Sequence, residues 1–189
     1  MTRLILASGS PRRAEMMARI TSEFRIMLPD IDETMADSES PSEMVERLAL
    51  EKAQVIIQKT NGEFPVLAAD TIVVHDRVLG KPTDEEDAYR MLQKLADDSH
   101  YVITGVAIIH PGNSKSVSFT EKTEVFFGPI SNSEIRAYIK GGEPMDKAGA
   151  YGIQGAGGCF ITKINGCFYN VMGFPLNRIY TSLKELDII

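Results

Sequence analysis

Apolar and polar positions along this chain alternate between short unbroken apolar runs and stretches with helical spacing. Leu4-Ile5-Leu6-Ala7 is such a run and reads as a buried strand that stops at Ser8-Gly9-Ser10-Pro11. Gly9 lets the backbone turn, Ser10 suits a helix N-cap and Pro11 the first helical position, so a helix is predicted from about Pro11 to Ile20. A polar connection around Asp30–Glu39 follows. Ser40-Pro41-Ser42-Glu43 is a capping box and opens a helix to about Lys59. Val66–Val74 reads as a buried strand interrupted by Asp70 and Thr71. Thr83 and Glu86 form a second capping-box pattern before a helix with Ala88, Met91, Leu92 and Leu95 on one face. Tyr101–Ile109 and Val117–Phe127 predict two paired strands, and Ser131 with Glu134 opens a helix ending at Gly141-Gly142. Phe160–Ile164 and Cys167–Val171 flank Asn165-Gly166, a type I′ hairpin signal, and Pro175 to about Leu186 predicts a closing helix. Helices alternating with strands, and hairpins in the second half, predict an α/β fold with a mixed sheet rather than a purely parallel one.

Composition narrows the classes. The 189 residues are 43% hydrophobic and 24% charged, which fits a globular protein with a substantial core. A net charge of −6 argues against a general nucleic-acid binder. It also requires any polyphosphate site to gather its cations locally or recruit a metal. Cys159 and Cys167 show no CxxC pairing, so neither a disulfide scaffold nor a zinc site is expected. Both read as buried small hydrophobes. No apolar run has transmembrane length. The first run is interrupted too early for a signal peptide, so a cytoplasmic location is expected.

The turn after the first strand then gains a chemical meaning. Arg12 and Arg13 fall in the first turn of the predicted helix, where partial positive charge and unpaired N–H groups already accumulate. A bound anion relieves that conflict, so Ser8, Ser10, Arg12 and Arg13 read as a phosphate seat. Asp70 breaks an apolar run, and a buried carboxylate needs a partner. Metal ligation, general-base work or a turn at a strand end would each explain it. Lys52 lies on the stripe Met44, Leu48, Lys52, Ile56, either turned inward or snorkelling to water. Lys81 stands between Gly80 and Pro82, held rigidly before a helix or simply exposed in a loop. Asp32-Glu33 is either a solvated charge run or, facing Asp70, half of an oxygen-ligand set for Mg²⁺. Asp146-Lys147-Ala148-Gly149-Ala150-Tyr151-Gly152-Ile153-Gln154-Gly155 offers glycines that permit close approach to a ligand. In it Gln154 can both donate to and accept from a base edge; a Gly-rich turn before the hairpin is the plainer reading. Neither GxxxxGK[ST] nor GxGxxG occurs, which disfavours a P-loop kinase or a dinucleotide-binding site.

Taken together, these motifs resemble the Maf family of nucleoside triphosphate pyrophosphatases. Ser8-Gly9-Ser10-Pro11-Arg12-Arg13 is similar to that family's opening signature. Asp32-Glu33, Glu51-Lys52-Ala53, Ala69-Asp70-Thr71, Gly80-Lys81-Pro82 and Thr104-Gly105-Val106 follow in the family's order. Asp146 to Gly155 and Asn170-Val171-Met172-Gly173-Phe174-Pro175-Leu176 complete it, with no departure at a family functional position. The resemblance implies one domain over residues 1–189. Its fold would be two lobes around a mixed sheet flanked by helices, like inosine triphosphate pyrophosphatase, with the substrate in a cleft between the lobes. It implies cleavage of a nucleoside triphosphate between the α and β phosphates with a divalent cation, Mg²⁺ or Mn²⁺, held by Glu33 and Asp70. Asp70 matches the proton acceptor, and Ser10, Arg13, Glu33, Lys52 and Lys81 match the polar active-site set. Arg13, Thr71 and Gln154 match positions linked to base selection. The Tyr151-Gly152-Ile153-Gln154 version resembles the branch acting on dTTP and UTP. A homodimer is also implied. The alternative from another class is a nucleotide-sensing regulator of cell division or septum formation that acts through a protein partner.

Overall fold

The computed structural model describes residues 4–113 and 115–189. Its sheet has seven strands: β1 (Leu4–Ala7), β2 (Phe24–Ile26), β3 (Val66–Val74), β4 (Val78–Leu79), β5 (Ser99–His110), β6 (Lys115–Phe127) and β7 (Ile161–Asn165). The hydrogen-bonded order is β2-β1-β3-β5-β6-β7, with β4 paired to β3. β1 is parallel to both β2 and β3, whereas β3–β4 and β6–β7 are antiparallel. The sheet is therefore mixed, as the alternation of elements predicts. Among the described residues six α-helices accompany it: α1 (Pro11–Ala18), α2 (Pro41–Lys59), α3 (Glu85–Leu95), α4 (Asn132–Lys140), α5 (Phe168–Val171) and α6 (Leu176–Glu185).

The chain divides into two compact units, and the divisions fall inside β3, β5 and β6. Unit 1 comprises Met1–Asp70, Thr104–Glu121 and Gly173–Ile189; unit 2 comprises Thr71–Ile103 and Lys122–Met172. In unit 1 the core joins Ile5, Ala7, Val66, Ala68 and Ala107 of the sheet to Ala49, Ala53 and Ile56 of α2. Alanines keep that helix close to the strands, and Gly105 takes the approach further. A Cβ on Gly105 would overlap the Val45 carbonyl of α2. In unit 2, Ala88, Leu92 and Leu95 of α3 pack with Ile135, Tyr138 and Ile139 of α4 and with Val102, Val125 and Phe127 of the sheet. Each fully buried aliphatic side chain contributes about 1.5–3 kcal/mol relative to exposure.

The capping box predicted at Ser40 with Glu43 forms, and the helix predicted to open at Ser131 and Glu134 does so through a second one. The cap of α3 lies one residue later than Thr83. The Asp84 carboxylate accepts the Asp87 N–H at 2.7 Å, while Asp87 reaches back to the Thr83 N–H at 3.1 Å. An ionised acceptor at a helix N-terminus outcompetes a hydroxyl. β3 is likewise not interrupted: Asp70 and Thr71 continue the strand.

The expected hairpin at Asn165-Gly166 does not form, since Cys167 leads into helix α5 rather than a strand. A type I′ turn needs positive φ at both central residues; Gly166 has φ 135°, but Asn165 is not among the residues with positive φ. Thr123 captures the segment instead. Its hydroxyl accepts the Cys167 N–H at 3.0 Å and the Asn170 amide at 3.0 Å, and Asn170 also donates to the Val102 carbonyl at 3.1 Å. Cysteine burial is corrected too: Cys159 is exposed and Cys167 half-buried. The first lies in the 3₁₀ turn Ala156–Phe160 and the second at the N-cap position of α5.

Candidate active site

Nine residues of continuous strand carry Asp70 into the core with only 8% of its surface exposed. Burial of this kind demands a countercharge, and α2 supplies it. Lys52 is 7% exposed, so it turns inward rather than snorkelling. Its Nζ lies 2.6 Å from Asp70 Oδ1 and 2.6 Å from Glu33 Oε1. Glu33 is mostly open to solvent, so the ammonium joins a buried carboxylate to an exposed one. Among the described residues, Asp70 forms its ion pair through Oδ1 alone.

The acidic segment that presents Glu33 is ordered by its neighbours. Asp32 Oδ1 accepts the Thr34 N–H at 2.9 Å and the Thr34 hydroxyl at 2.5 Å, and these bonds hold the Asp32 carboxyl below its usual range. Asp32 is thus a turn residue, and Glu33 alone of the pair meets Lys52. Arg47 pins the same segment to α2. It grips Glu39 at 2.7 and 2.9 Å and Glu51 at 3.1 Å, and donates to the Thr34 carbonyl at 3.1 Å. Sequence reasoning did not single out Arg47. Its i,i+4 spacing from Glu51 on one helix face was the available signal.

The turn from β1 to α1 is built around Arg13. Ser10 Oγ caps the helix by accepting the Arg13 N–H at 3.5 Å, and Ser8 Oγ accepts the Ser10 N–H at 3.2 Å. The Arg13 guanidinium folds back, donating through Nε to the Gly173 carbonyl at 2.9 Å and through Nη1 to the Ala69 carbonyl at 2.8 Å. Burial lowers the Arg13 guanidinium from its ordinary value, and the charge of Asp70 opposes that shift. Backbone carbonyls therefore absorb much of the charge conflict that the sequence assigned to an anion. Arg12 is half-buried in the same turn, which has no acidic residue.

Unit 2 holds the remaining candidates. Thr71 follows Asp70 in β3 and is half-buried. Lys81 is exposed, and its loop is fastened to the Gly-rich segment because the Gly80 carbonyl accepts the Gly149 N–H at 3.0 Å. Gln154 is exposed. The buried Tyr151 ahead of it bonds His100 Nε2 through its hydroxyl at 2.7 Å. Lys52, Glu33 and Asp70 are thus one cluster, and Ser8, Ser10 and Arg13 another, both within unit 1.

A family model described as Maf-like protein matches residues 3–186. The chain belongs to the Maf-like family. This Maf-like chain is 46% identical over 189 residues to a dTTP/UTP pyrophosphatase of Bacillus cereus (strain B4264), a match covering 100% of this chain and 97% of that protein. It is 48% identical over 182 residues to a dTTP/UTP pyrophosphatase of Halalkalibacterium halodurans, covering 96% and 94% respectively. Among solved structures, a nucleoside-triphosphatase / dITP/XTP pyrophosphatase from Mycobacterium abscessus aligns at 17% identity with a TM-score of 0.46, covering 68% of this Maf-like chain and 76% of that one.

Carboxylate oxygens are the donor type that a hard divalent cation takes. Glu33 and Asp70 offer oxygen ligands, and with Lys52 they carry one more negative charge than positive. Among the described residues no group of three or more His, Cys, Asp or Glu could hold a metal. Further ligands for Mg²⁺ or Mn²⁺ at this pair would have to be phosphate oxygens and water, the usual arrangement at phosphoryl-transfer sites. Among the described residues no helix is long and apolar enough to cross a membrane.

Proposed function

We propose that this Maf-like chain hydrolyses dTTP and UTP to the nucleoside monophosphate and pyrophosphate. The observation that carries the reading is the buried ammonium of Lys52 held between Asp70 and Glu33, and the high identity to dTTP/UTP pyrophosphatases supports it. That similarity also favours hydrolysis over the regulator of cell division.

In the proposed reaction a water oxygen bonds to the α phosphorus, the bond from that phosphorus to the αβ-bridging oxygen breaks, and the water's proton passes to Asp70. Lys52 holds Asp70 by one carboxylate oxygen, which fixes the direction in which the other can accept. Ser8, Ser10, Arg12 and Arg13 seat phosphate oxygens at the N-terminus of α1. Lys52 and Lys81 offset the negative charge that builds on the departing pyrophosphate. Glu33 and Asp70 would hold Mg²⁺ or Mn²⁺, and a bound cation supplies further charge neutralisation on the phosphates. Thr71 and Gln154, with Arg13, would meet the base. A cytoplasmic location, a homodimer and the working of residues 1–189 as one Maf-like domain belong to the same proposal.

Replacing Asp70 tests the reading. Asp70→Asn preserves shape and removes the proton acceptor, so with Mg²⁺ present kcat for UTP, measured well below the variant's melting temperature, should fall about a thousandfold or more, while the melting temperature drops because Lys52 loses its buried partner. Pyrophosphate release by Asp70→Asn at the wild-type rate would overturn it.

A further inference from the structure

We infer that Glu143 is a positioning residue for base selection: its carboxylate, with the Tyr138 hydroxyl, sets the backbone that displays Gln154. The inference rests on the proposed reading that Gln154 meets the base. Glu143 lies in the 3₁₀ turn Glu143–Asp146, 13 and 14 residues before the two amides it captures. Its Oε2 accepts the Ala156 N–H at 2.8 Å, and Oε1 accepts the Gly157 N–H at 3.3 Å and the Tyr138 hydroxyl at 2.9 Å. Lys147 Nζ donates to the Glu143 carbonyl at 2.7 Å and so holds the turn itself. Gln154 stands just before the two captured amides, exposed, with its own neighbour Gly155 donating to the Gly152 carbonyl at 3.2 Å.

The glycines of this segment tell the same story. A Cβ on Gly155 would collide with the Glu143 carboxylate. One on Gly157 would stand 2.7 Å from the Tyr138 hydroxyl. These positions need glycine in order to close on Glu143 and Tyr138, a use distinct from the ligand approach that the sequence suggested. Burial alone would raise the Glu143 carboxyl, but the Ala156 and Gly157 amides and the Tyr138 hydroxyl hold it below its ordinary range. A single ionised acceptor therefore serves three donors, and charged acceptors of this kind make the stronger hydrogen bonds. Fixing the loop in advance lets Gln154 meet a base edge without ordering the chain on binding.

The chemistry of this role differs from mere support. Lys52, Asp70 and Glu33 all belong to unit 1 and Glu143 to unit 2, so loosening this loop should cost binding and discrimination rather than turnover. Steady-state kinetics on UTP and CTP, which differ at the base edge, separate the two. For Glu143→Gln, where an amide nitrogen confronts a backbone N–H, the KM for UTP should rise about tenfold while kcat changes less than about twofold. The UTP-over-CTP preference should fall towards that of Gln154→Ala. An unchanged KM and preference in Glu143→Gln, beside a lost preference in Gln154→Ala, would overturn the inference alone. So would an equal loss of kcat on both nucleotides with KM unmoved. An unchanged preference in Gln154→Ala would instead overturn the base-contact reading and this inference with it. If Glu143→Gln does not fold, Tyr138→Phe keeps the carboxylate and removes one donor. A rise in KM of about threefold at constant kcat then supports the inference, and an unmoved KM overturns it.

Discussion

The Lys52 ammonium lies 2.6 Å from Asp70 and 2.6 Å from Glu33. A buried Asp70 in the middle of a strand is costly by itself, and the ammonium offsets that cost while linking it to the exposed Glu33. At the same scale His100 makes a pH prediction. It is buried edge-on between Phe127 and Tyr151, with ring centroids 5.0 and 5.3 Å away. Burial first, and then the nearby charge of His75, push its imidazole down to about 4 from an ordinary 6.5, with Asp98 opposing. The unfolded chain therefore binds this proton more readily than the folded one. Stability from His100 is complete above about pH 6.5 and is lost as pH falls towards 4, by at most about 1.4 kcal/mol per pH unit. Melting temperatures across that range should fall less steeply for His100→Gln than for wild type. Parallel slopes would show that His100 already titrates normally in the fold.

Helix α2 is the element on which the unit 1 site depends. It carries Lys52 from the core face and Arg47 from the side that holds the Glu33 segment. Its distance from the sheet is set by Gly105, where no Cβ fits beneath the Val45 carbonyl. Gly105→Ala should therefore destabilise the protein by about 3 kcal/mol or more, read as the midpoint of urea unfolding; a midpoint equal to wild type would mean that α2 does not need this approach. This element was also the most legible in the sequence, because Ser40, Pro41 and Glu43 are local signals that act on their own backbone. The burial of Lys52 was not legible, since only a partner eighteen positions away in β3 decides whether a lysine on an apolar stripe turns in or out. The Asn165-Gly166 turn misled for the same reason: Thr123, more than forty residues earlier, captures Cys167 and Asn170. At α3 the signal was present but read one residue early, with Asp84 displacing Thr83 as cap. At Arg12 and Arg13 the sequence shows two cations that call for an anion, because the carbonyls of Ala69 and Gly173 that receive the Arg13 guanidinium are distant in sequence.

On the scale of the whole molecule, an acidic chain of net charge −6 is proposed to act on a polyanion. The proposal assigns that task to a few of its 20 lysines and arginines: Lys52 beside its carboxylates, the arginines at the start of α1, and Lys81 on the loop tied to Gly149. Local cations outweigh global charge because screening removes most long-range repulsion beyond about 8 Å at physiological salt. The central claim is that this charge arrangement serves cleavage between the α and β phosphates of pyrimidine nucleoside triphosphates. Product identification by ion-exchange chromatography tests it most directly, with purified protein, Mg²⁺ and a panel of dTTP, UTP, CTP, dATP and GTP. The account predicts monophosphate and pyrophosphate in equal amounts, formed fastest from dTTP and UTP. Orthophosphate and the nucleoside diphosphate as the products of dTTP and UTP would contradict it.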